Sequence, residues 1–202
     1  MALTAKPVSA GLHNAVCYEV VDMGTHYDEK YDKHKHEIQL GWEIPEERIT
    51  VERDGQDVDL PRAVWRRFTL SLHEKGNLRP FLEGWRGRPF TNEELDGFDL
   101  KNVLGAPCQL QVMHRNHDGK TYANVSSALP LPKGTQGAEC ENEPLWFAIE
   151  EGNPIPDSLP KWMQEYIAEA EEFKDQPEDQ VVGSASDGTE YDEFDDDDNM
   201  PF

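Results

Sequence analysis

Apolar and polar residues alternate at residues 36–44 and 63–72, and residues 15–23 before them are rich in β-branched and aromatic side chains. An alternation with period two is typical of strands that bury one face. In the middle segment, the apolar residues all fall on one side of the strand: Ile38, Leu40, Trp42 and Ile44. Pro45 is expected to end this strand, because proline donates no hydrogen bond to a sheet. The pattern therefore predicts three strands, with an Asp-Gly turn between the second and the third.

The spacing of apolar residues becomes helical after the third strand. A short helix is predicted from the spacing of Leu78, Phe81, Leu82 and Trp85. A second short helix is predicted to begin at Thr91, because Glu94 three residues later completes a capping-box pattern. Two further alternating segments, 108–115 and 121–129, are joined by Asn-His-Asp-Gly and predict a β-hairpin.

Five strands with helical material between the third and the fourth give the element order of an OB-fold, a five-stranded and partly open barrel. Other small β-barrels with one helical insertion fit the same order. We predict a mainly β protein with an OB-fold barrel, followed by a C-terminal amphipathic helix and a disordered acidic tail. The helix is expected at residues 158–173, where apolar side chains recur at Trp162, Tyr166, Ile167 and Ala170.

The charge is concentrated at one end of the chain. Residues 139–202 contain 21 acidic and 2 basic residues, whereas the whole chain has a formal net charge of −22. The part before residue 139 is therefore nearly neutral and can form a globular body. The segment from residue 175 has too few apolar residues to offset the entropy of ordering it. The predicted organisation is a flexible arm at 1–14, an OB-fold domain at 15–134, a linker and helix at 135–174, and a disordered tail at 175–202.

Cysteine usage and hydropathy indicate the compartment. The 3 cysteines are far apart and form no Cys-x-x-Cys pair, which argues against a disulfide framework or a zinc knuckle. No run of about 18 apolar residues is present, so no membrane span is expected. We predict a soluble, cytoplasmic protein.

A basic and aromatic stretch stands out in this acidic chain. Residues 62–90 contain seven basic and two acidic residues, with tryptophan and phenylalanine between them. Cations neutralise phosphates and aromatic rings stack on unpaired bases, so this composition is typical of a groove for single-stranded nucleic acid. With neighbouring strands and turns included, the candidate residues are Lys33, Lys35, Arg62, Trp65, Arg67, Lys75, Arg79, Trp85, Arg86, Arg88, Arg115, Lys120 and Tyr122.

Structural explanations compete with a binding role for some of these residues. Alternation puts Trp65 and Arg67 on the polar face of their strand and Phe68 on the core face. The ring of Trp85 fits the core and the groove equally well. Arg86 and Arg88 flank a glycine in a predicted loop, where basic residues have little structural reason to occur.

Other chemistry has weak support in the sequence. The Lys-His-Lys-His run at residues 33–36 could present two imidazoles to a metal, but no cysteine or suitably spaced carboxylate accompanies them. Phosphate loops, nucleophile elbows and metalloprotease motifs are absent from the sequence. We expect neither enzyme activity nor a cofactor, and a small metal-dependent nuclease is disfavoured because the carboxylates are mostly in the tail.

The tail ends in DDDDNMPF, which resembles the C-terminal tip of bacterial single-stranded-DNA-binding proteins. The resemblance implies that the tip docks on replication or recombination proteins through Asp195, Asp196, Asp197, Asp198, Met200, Pro201 and Phe202. Asn199 and Met200 depart from that pattern, where an acidic residue and isoleucine are usual. The alternative is an acidic tail that only confers solubility.

The body resembles a family of bacteriophage proteins from replication modules, with OB-type single-strand-binding character. The resemblance is carried by GWEIPEERI, by FTLSLHEKGNLRPFLEGWRGRPF and by YANVSSALPLPKG, and it spans most of residues 15–134. It implies binding of single-stranded DNA without strong sequence preference, in phage replication, recombination or repair within the host cytoplasm. Homo-oligomers are compatible with it. The rival hypothesis is an acidic DNA mimic that inhibits a host nucleic-acid-binding protein.

Overall fold

The structure is a computed structural model that describes residues 6–53, 55–150 and 153–174. The predicted acidic tail and its tip lie outside the described residues. Six strands, four α-helices and a 3₁₀ helix follow one another in the described part of the chain. In order, they are β1 Gly11–Asp28, β2 Lys33–Arg53, β3 Gln56–Thr69, α1 Leu78–Arg86, α2 Asn92–Asp96, the 3₁₀ helix Leu100–Val103, β4 Pro107–His117, β5 Lys120–Leu129, β6 Leu145–Phe147, α3 Lys161–Ala168 and α4 Glu171–Lys174.

The protein is mainly β, with one curled antiparallel sheet in the order β3-β2-β1-β4-β5. Strand β1 pairs with β4 through its first half and with β2 from Val16 onward, so it belongs to both halves of the sheet. Register shifts in β1 between Cys17 and Glu19 and between Asp22 and Gly24 mark bulges, which increase the local twist and help the sheet to curl. Short β6 pairs with β1 in parallel, opposite Glu19.

The predicted strands are present, but the first three begin earlier than predicted, and β1 and β2 also end later. Strand β2 continues past Pro45 to Arg53, so the prediction that Pro45 ends the strand was wrong. The pairing skips from Ile44 to Arg48, and this irregularity keeps Pro45 out of the hydrogen-bonded ladder. Strand β1 begins at Gly11, and Val8 before it is buried, so part of the segment predicted as an arm packs on the body.

The main core lies between the sheet and α1. Helix α1 contributes four buried side chains, Leu78, Phe81, Leu82 and Trp85. Trp42 of β2 meets the rings of Phe81 and Trp85 at 5.5 and 5.8 Å between centroids. The predicted core positions of Trp42 and Phe68 are confirmed, with 0% and 3% of their surface exposed.

A second, smaller core lies on the outer face of β1. Val21 and Met23 of β1 pack there against Phe147, Leu159, Met163 and Ile167 from the C-terminal segment. The predicted amphipathic helix is present as α3 and α4, and it joins the same body as the sheet. Among the described residues no helix is long and apolar enough to cross a membrane.

Candidate nucleic-acid interface

The turn between β1 and β2, residues 27–35, forms a tip that we call the β1–β2 hairpin tip. Its Tyr31 ring is 46% exposed and lies within cation–π distance of three lysines. The ammonium groups of Lys35, Lys30 and Lys33 are 4.6, 5.5 and 5.6 Å from the ring centroid. Lys33 and Lys35 were predicted from the sequence as binding residues, and the structure brings them together around an exposed ring.

Two tyrosines at this tip were missed by sequence reasoning. Tyr27 is also half exposed, and its hydroxyl donates a hydrogen bond to Asp32 Oδ1 at 2.6 Å. The available signal was the pair Tyr27 and Tyr31 in an otherwise polar and lysine-rich turn. The tip contains acidic groups as well: Lys35 lies 2.5 Å from Asp28, and this contact lowers the pKa of the Asp28 carboxyl.

Trp65 of β3 forms an exposed aromatic surface on the outer face of the sheet. It lies opposite Gly41 of β2, which in turn lies opposite Glu19 of β1. A Cβ atom at position 41 would be 2.7 Å from Trp65 Cδ1, so the indole rests directly on the glycine backbone. The ring nevertheless remains 46% exposed. This arrangement keeps one aromatic face available to solvent.

The residues of β1 and β2 beside Trp65 are polar but buried. Only 6% of Glu19 is exposed, and burial raises the pKa of its carboxyl. Gln39 Nε2 donates a hydrogen bond to Glu19 Oε1 at 3.4 Å. Burial likewise raises the pKa of the neighbouring Tyr18 hydroxyl. The raised pKa favours the neutral form of the Glu19 carboxyl beside Trp65.

Arg67 shares the outer face with Trp65, as the alternation predicted, but α3 holds it. Its Nη1 lies 3.3 Å from Glu37 Oε2, and its guanidinium lies 4.4 Å from the centroid of the Tyr166 ring. Tyr166 in turn donates a hydrogen bond to Glu37 Oε2 at 2.7 Å. Because Tyr166 is far away in sequence, the alternation in β3 gave no indication of this contact.

Arg86 and Arg88 have a structural role, which corrects the expectation that nothing in the fold requires their charge. Both donate to the Glu94 carboxylate, with shortest contacts of 2.6 Å each. Glu94 also completes the capping box of α2 with Thr91. Hydrogen bonds lower the pKa of the Glu94 carboxyl to about 2. The largest contribution comes from Arg88, followed by the Thr91 amide and Arg86. These arginines connect the end of α1 to the start of α2.

Trp85, Arg79 and Arg62 are also engaged within the fold. Trp85 is only 7% exposed and its Nε1 donates to Pro107 O at 3.1 Å, so its ring is part of the core, not of a surface groove. Arg79 pairs with Glu83 one turn along α1 at 3.0 Å. The Arg62 guanidinium donates to the Lys6 carbonyl, and this contact fastens the N-terminal segment to β3. Lys75 is exposed in the connection between β3 and α1.

Arg66 was not selected from the sequence, yet it joins the two ends of the sheet. From β3, its Nη1 donates to the carbonyls of Val125 and Ser126 in β5, at 3.3 and 3.0 Å. Its guanidinium stacks over Phe68 at 4.7 Å. An open cavity of about 300 Å³ lies beside this contact and is lined further by Pro80, Phe81, Gly84 and Leu129.

The β4–β5 hairpin carries the remaining predicted residues. Arg115 and Tyr122 lie directly opposite one another, and Lys120 begins β5 after a tight turn. Asp118 and Gly119 form this turn with φ values of 47° and 77°, as a two-residue hairpin turn requires. The Asn-His-Asp-Gly signal therefore predicted this hairpin correctly.

The histidines of the Lys-His-Lys-His run contact carboxylates of other elements. His34 Nδ1 meets Glu171 of α4, and His36 Nε2 lies 2.7 Å from Asp22 Oδ1. Within residues 6–53, 55–150 and 153–174, no three histidine, cysteine or acidic side chains are grouped so that they could hold a metal ion. His34 therefore connects α4 to the sheet, whereas His36 connects β2 to β1 and lies 3.9 Å from Glu172 of α4.

Comparisons of the chain with protein-family models, with curated proteins and with solved structures gave no match.

Proposed function

We propose that the protein binds single-stranded DNA without strong sequence preference, through the outer face of β2 and β3 and the β1–β2 hairpin tip. The observation that carries this proposal is the exposed Trp65 ring resting on Gly41. Stacking on such a ring contributes about 1–3 kcal/mol per base, and it tolerates any base because every base has a π-face.

The cations of the hairpin tip supply the electrostatic part of the interface. Lys33 and Lys35 occupy positions of β2 that alternate with the core positions, as Gly41 does, so the two lysine side chains share the face on which Trp65 covers Gly41. The distance from Lys35 to Gly41 along β2 is roughly 20 Å at 3.3 Å per residue. Between them lies the Arg67–Tyr166 pair, which adds a guanidinium and a ring. The face therefore combines rings and cations along one line.

The sheet topology supports the OB-fold as the architecture of this interface. Strand β1 pairs with both β2 and β4, and α1 and α2 follow β3 and precede β4. An OB-fold has five strands arranged as a partly open barrel, and its face over strands 2 and 3 binds oligonucleotides. Trp65 and the lysines of β2 lie on the corresponding strands of this protein.

A partner-docking role for the acidic tail belongs to the same proposal. The sequence places four aspartates before Met200, Pro201 and Phe202, and these supply negative charge and apolar groups to a basic, apolar pocket on a second protein. Replication, recombination or repair proteins of a phage-infected host are the proposed partners. The support for this part is the sequence alone, since residues 175–202 lie outside the described part of the chain.

Titration of the full-length protein with oligo-dT, followed by tryptophan fluorescence at low and moderate salt, tests the binding proposal. Trp65→Phe should bind nearly as well as the wild type with less quenching, because phenylalanine keeps a ring but removes the reporter. Trp65→Ala should lose about 5- to 150-fold in affinity, which corresponds to one stacked base. Affinity should fall as salt rises, because bound phosphates release counterions.

Duplex DNA is the control ligand, and it should cause little quenching. The tail could mask the interface, so the same titration is repeated with Asp195, Asp196, Asp197 and Asp198 changed to Asn in the full-length chain. No response of either protein to oligo-dT at low salt would overturn the proposal. The acidic DNA-mimic hypothesis would then predict binding to a nucleic-acid-binding protein that is lost in the Asp→Asn variant.

A further inference from the structure

Beyond the part of β2 that pairs with β1, strands β2 and β3 continue together as a ribbon of two strands. Glu43 is the last residue of β2 in the pairing with β1, whereas pairing with β3 resumes at Arg48 and reaches Arg53. We call residues 48–53 and 56–61 the β2–β3 arm. The arm is roughly 17 Å long at 3.3 Å per residue. A ribbon of two strands is only marginally stable in water, so the arm gains stability from a chain that packs on it.

One face of the arm is aliphatic. Ile49 lies opposite Leu60, and Val51 lies opposite Val58. Each of the four side chains is partly exposed, and none belongs to the two cores that the described residues form. Side chains of this kind are favourable in strands chiefly because they pack against neighbours. The face therefore keeps aliphatic surface for another chain to cover.

The opposite face of the arm is acidic. Glu52 lies directly opposite Asp57, and both side chains are exposed. Like charges in directly opposite positions destabilise a pair of strands. Arg48 lies 2.9 Å from Asp59 and 2.6 Å from Glu141, so its charge is already matched. Glu52 and Asp57 form no ion pair with a side chain that the structure describes, and a cation from another chain would relieve their repulsion.

The free edge of the arm belongs to β3, which is the last strand on its side of the sheet. An edge strand has backbone groups that can pair with a further strand. Along this edge, acidic and aliphatic residues alternate one by one, in the order Asp57, Val58, Asp59 and Leu60. Directly opposite residues of paired strands share a face. A strand added here would therefore meet carboxylates on one face and aliphatic side chains on the other.

The charge of the arm selects among possible occupants. Residues 46–60 contain six acidic and two basic residues. Nucleic acid is excluded from such a surface, because phosphate binding requires cations. A second copy of the chain is disfavoured as well, since two copies carry a net charge of −22 each. The complementary occupant is a basic segment of another protein.

We infer that the β2–β3 arm binds an extended segment of a partner protein in which lysine or arginine alternates with aliphatic residues. The segment adds to the edge of β3 as a further strand. Its basic side chains lie beside Asp57 and Asp59, and its aliphatic side chains lie beside Val58 and Leu60. In this mode of recognition, main-chain hydrogen bonds supply affinity and the alternate side chains supply specificity. The surface is separate from the proposed DNA interface at Trp65 and the β1–β2 hairpin tip.

The probe is a short labelled peptide of alternating lysine and valine with both ends blocked. It is titrated with the full-length protein and followed by fluorescence anisotropy at about 0.15 M salt, where distant charges are screened. A peptide of alternating lysine and glycine has the same charge, so it reports binding to acidic groups in general. It should bind at least about tenfold more weakly, because it leaves the aliphatic face uncovered. A peptide of alternating glutamate and valine should not bind.

Asp57→Lys is the test variant. The new lysine lies opposite Glu52, so the thermal midpoint should stay the same or rise. Affinity for the lysine–valine peptide should nevertheless fall at least about tenfold, because like charges then meet across the added strand. Glu74→Lys makes the same change of charge in the exposed connection between β3 and α1. This matched control should bind the peptide like the wild type.

Backbone amide shifts in NMR spectra locate the bound peptide, and those of the β2–β3 arm should move. The inference is overturned if the lysine–glycine peptide binds as tightly as the lysine–valine peptide, if Asp57→Lys binds like the wild type, or if the moving signals lie outside the arm. Arm signals that move with oligo-dT would assign the arm to nucleic acid instead. Arm signals that move with protein concentration alone would assign it to a second copy, and either result also overturns the inference.

Discussion

Gly41 acquires its importance from the residue opposite to it. A glycine in a strand interior is usually unfavourable, and here it makes room for the Trp65 indole. Glu94 is a second example, since one exposed carboxylate caps α2 and binds two arginines. In both cases a single residue positions the side chains around it.

Gly41→Ala should displace the Trp65 ring, because the new Cβ would lie 2.7 Å from Trp65 Cδ1 and 3.0 Å from Glu19 Cβ. The indole can move toward solvent, so the emission maximum should shift to longer wavelength. Affinity for oligo-dT should fall about fivefold, equivalent to about 1 kcal/mol of stacking. Fluorescence titration measures both effects.

Gly97→Ala is the matched control for this substitution. Gly97 has a φ of −126°, and the nearest atom to an added Cβ would be Glu93 O at 3.9 Å. Emission and affinity should therefore remain those of the wild type. Wild-type emission and affinity in Gly41→Ala would contradict the stacked position of Trp65.

At the scale of elements, α4 is held to the sheet mainly by polar contacts. None of its residues is buried, yet Glu172 accepts hydrogen bonds from the Thr25 amide and hydroxyl at 2.9 and 2.6 Å. His36 lies between Asp22 of β1 and Glu172 of α4, at 2.7 and 3.9 Å. The attachment of this helix is therefore sensitive to protonation of His36.

The stability of the protein should fall as pH rises above about 6.5 through the titration of His36. The hydrogen bond to Asp22 raises the pKa of His36, although burial opposes the shift. The contribution is complete below the ordinary pKa of about 6.5 and is lost as pH passes the raised value. Thermal midpoints across this range should decrease for the wild type and change less for His36→Gln.

At low pH, protonation of Asp22 removes the stability that the His36–Asp22 pair contributes. Burial would raise the pKa of its carboxyl, but the hydrogen bonds from His36 and from the amides of Gly24 and Ile149 outweigh burial and lower it. The pair therefore stabilises most between roughly pH 4 and 6.5. His117→Gln, at an exposed turn, is the control and should keep the wild-type slope. Equal slopes for His36→Gln and the wild type would contradict this role.

At the scale of the whole molecule, the two cores share β1. The main core uses Ala15, Cys17 and Val20, and the smaller core uses Val21 and Met23 on the opposite face. Because one strand contributes to both cores, the C-terminal segment should unfold together with the barrel. The predicted boundary at residue 134 therefore separates two parts of one packed body.

Met163→Ala should lower the free energy of unfolding by about 2–4 kcal/mol, because Met163 is 1% exposed in the smaller core. Urea unfolding at low protein concentration, followed by tryptophan fluorescence and by circular dichroism, should give one shared transition. Met113→Ala changes a methionine that is 53% exposed and should stay within about 0.5 kcal/mol of the wild type. Separate transitions for the two probes would contradict cooperative unfolding.

The sequence predicted the strands because each buries one face, and period-two alternation is a local property. It predicted the β4–β5 hairpin and the capping box for the same reason, since their signals lie within a few residues. The candidate site was predicted less well. Trp65 and Arg67 lie on the expected strand, and Lys33 and Lys35 lie in β2, which begins earlier than predicted. Trp85, in contrast, is buried, and Arg86 and Arg88 bind Glu94.

The sequence by itself determined the mainly β class, the order of the elements and the division of charge between body and tail. Only the tertiary structure decided which basic residues are engaged inside the fold and which remain on its surface. It also decided that the C-terminal helices cover the outer face of β1. The physical reason is that these outcomes depend on contacts between residues distant in the chain, and local periodicity contains no information about such pairs.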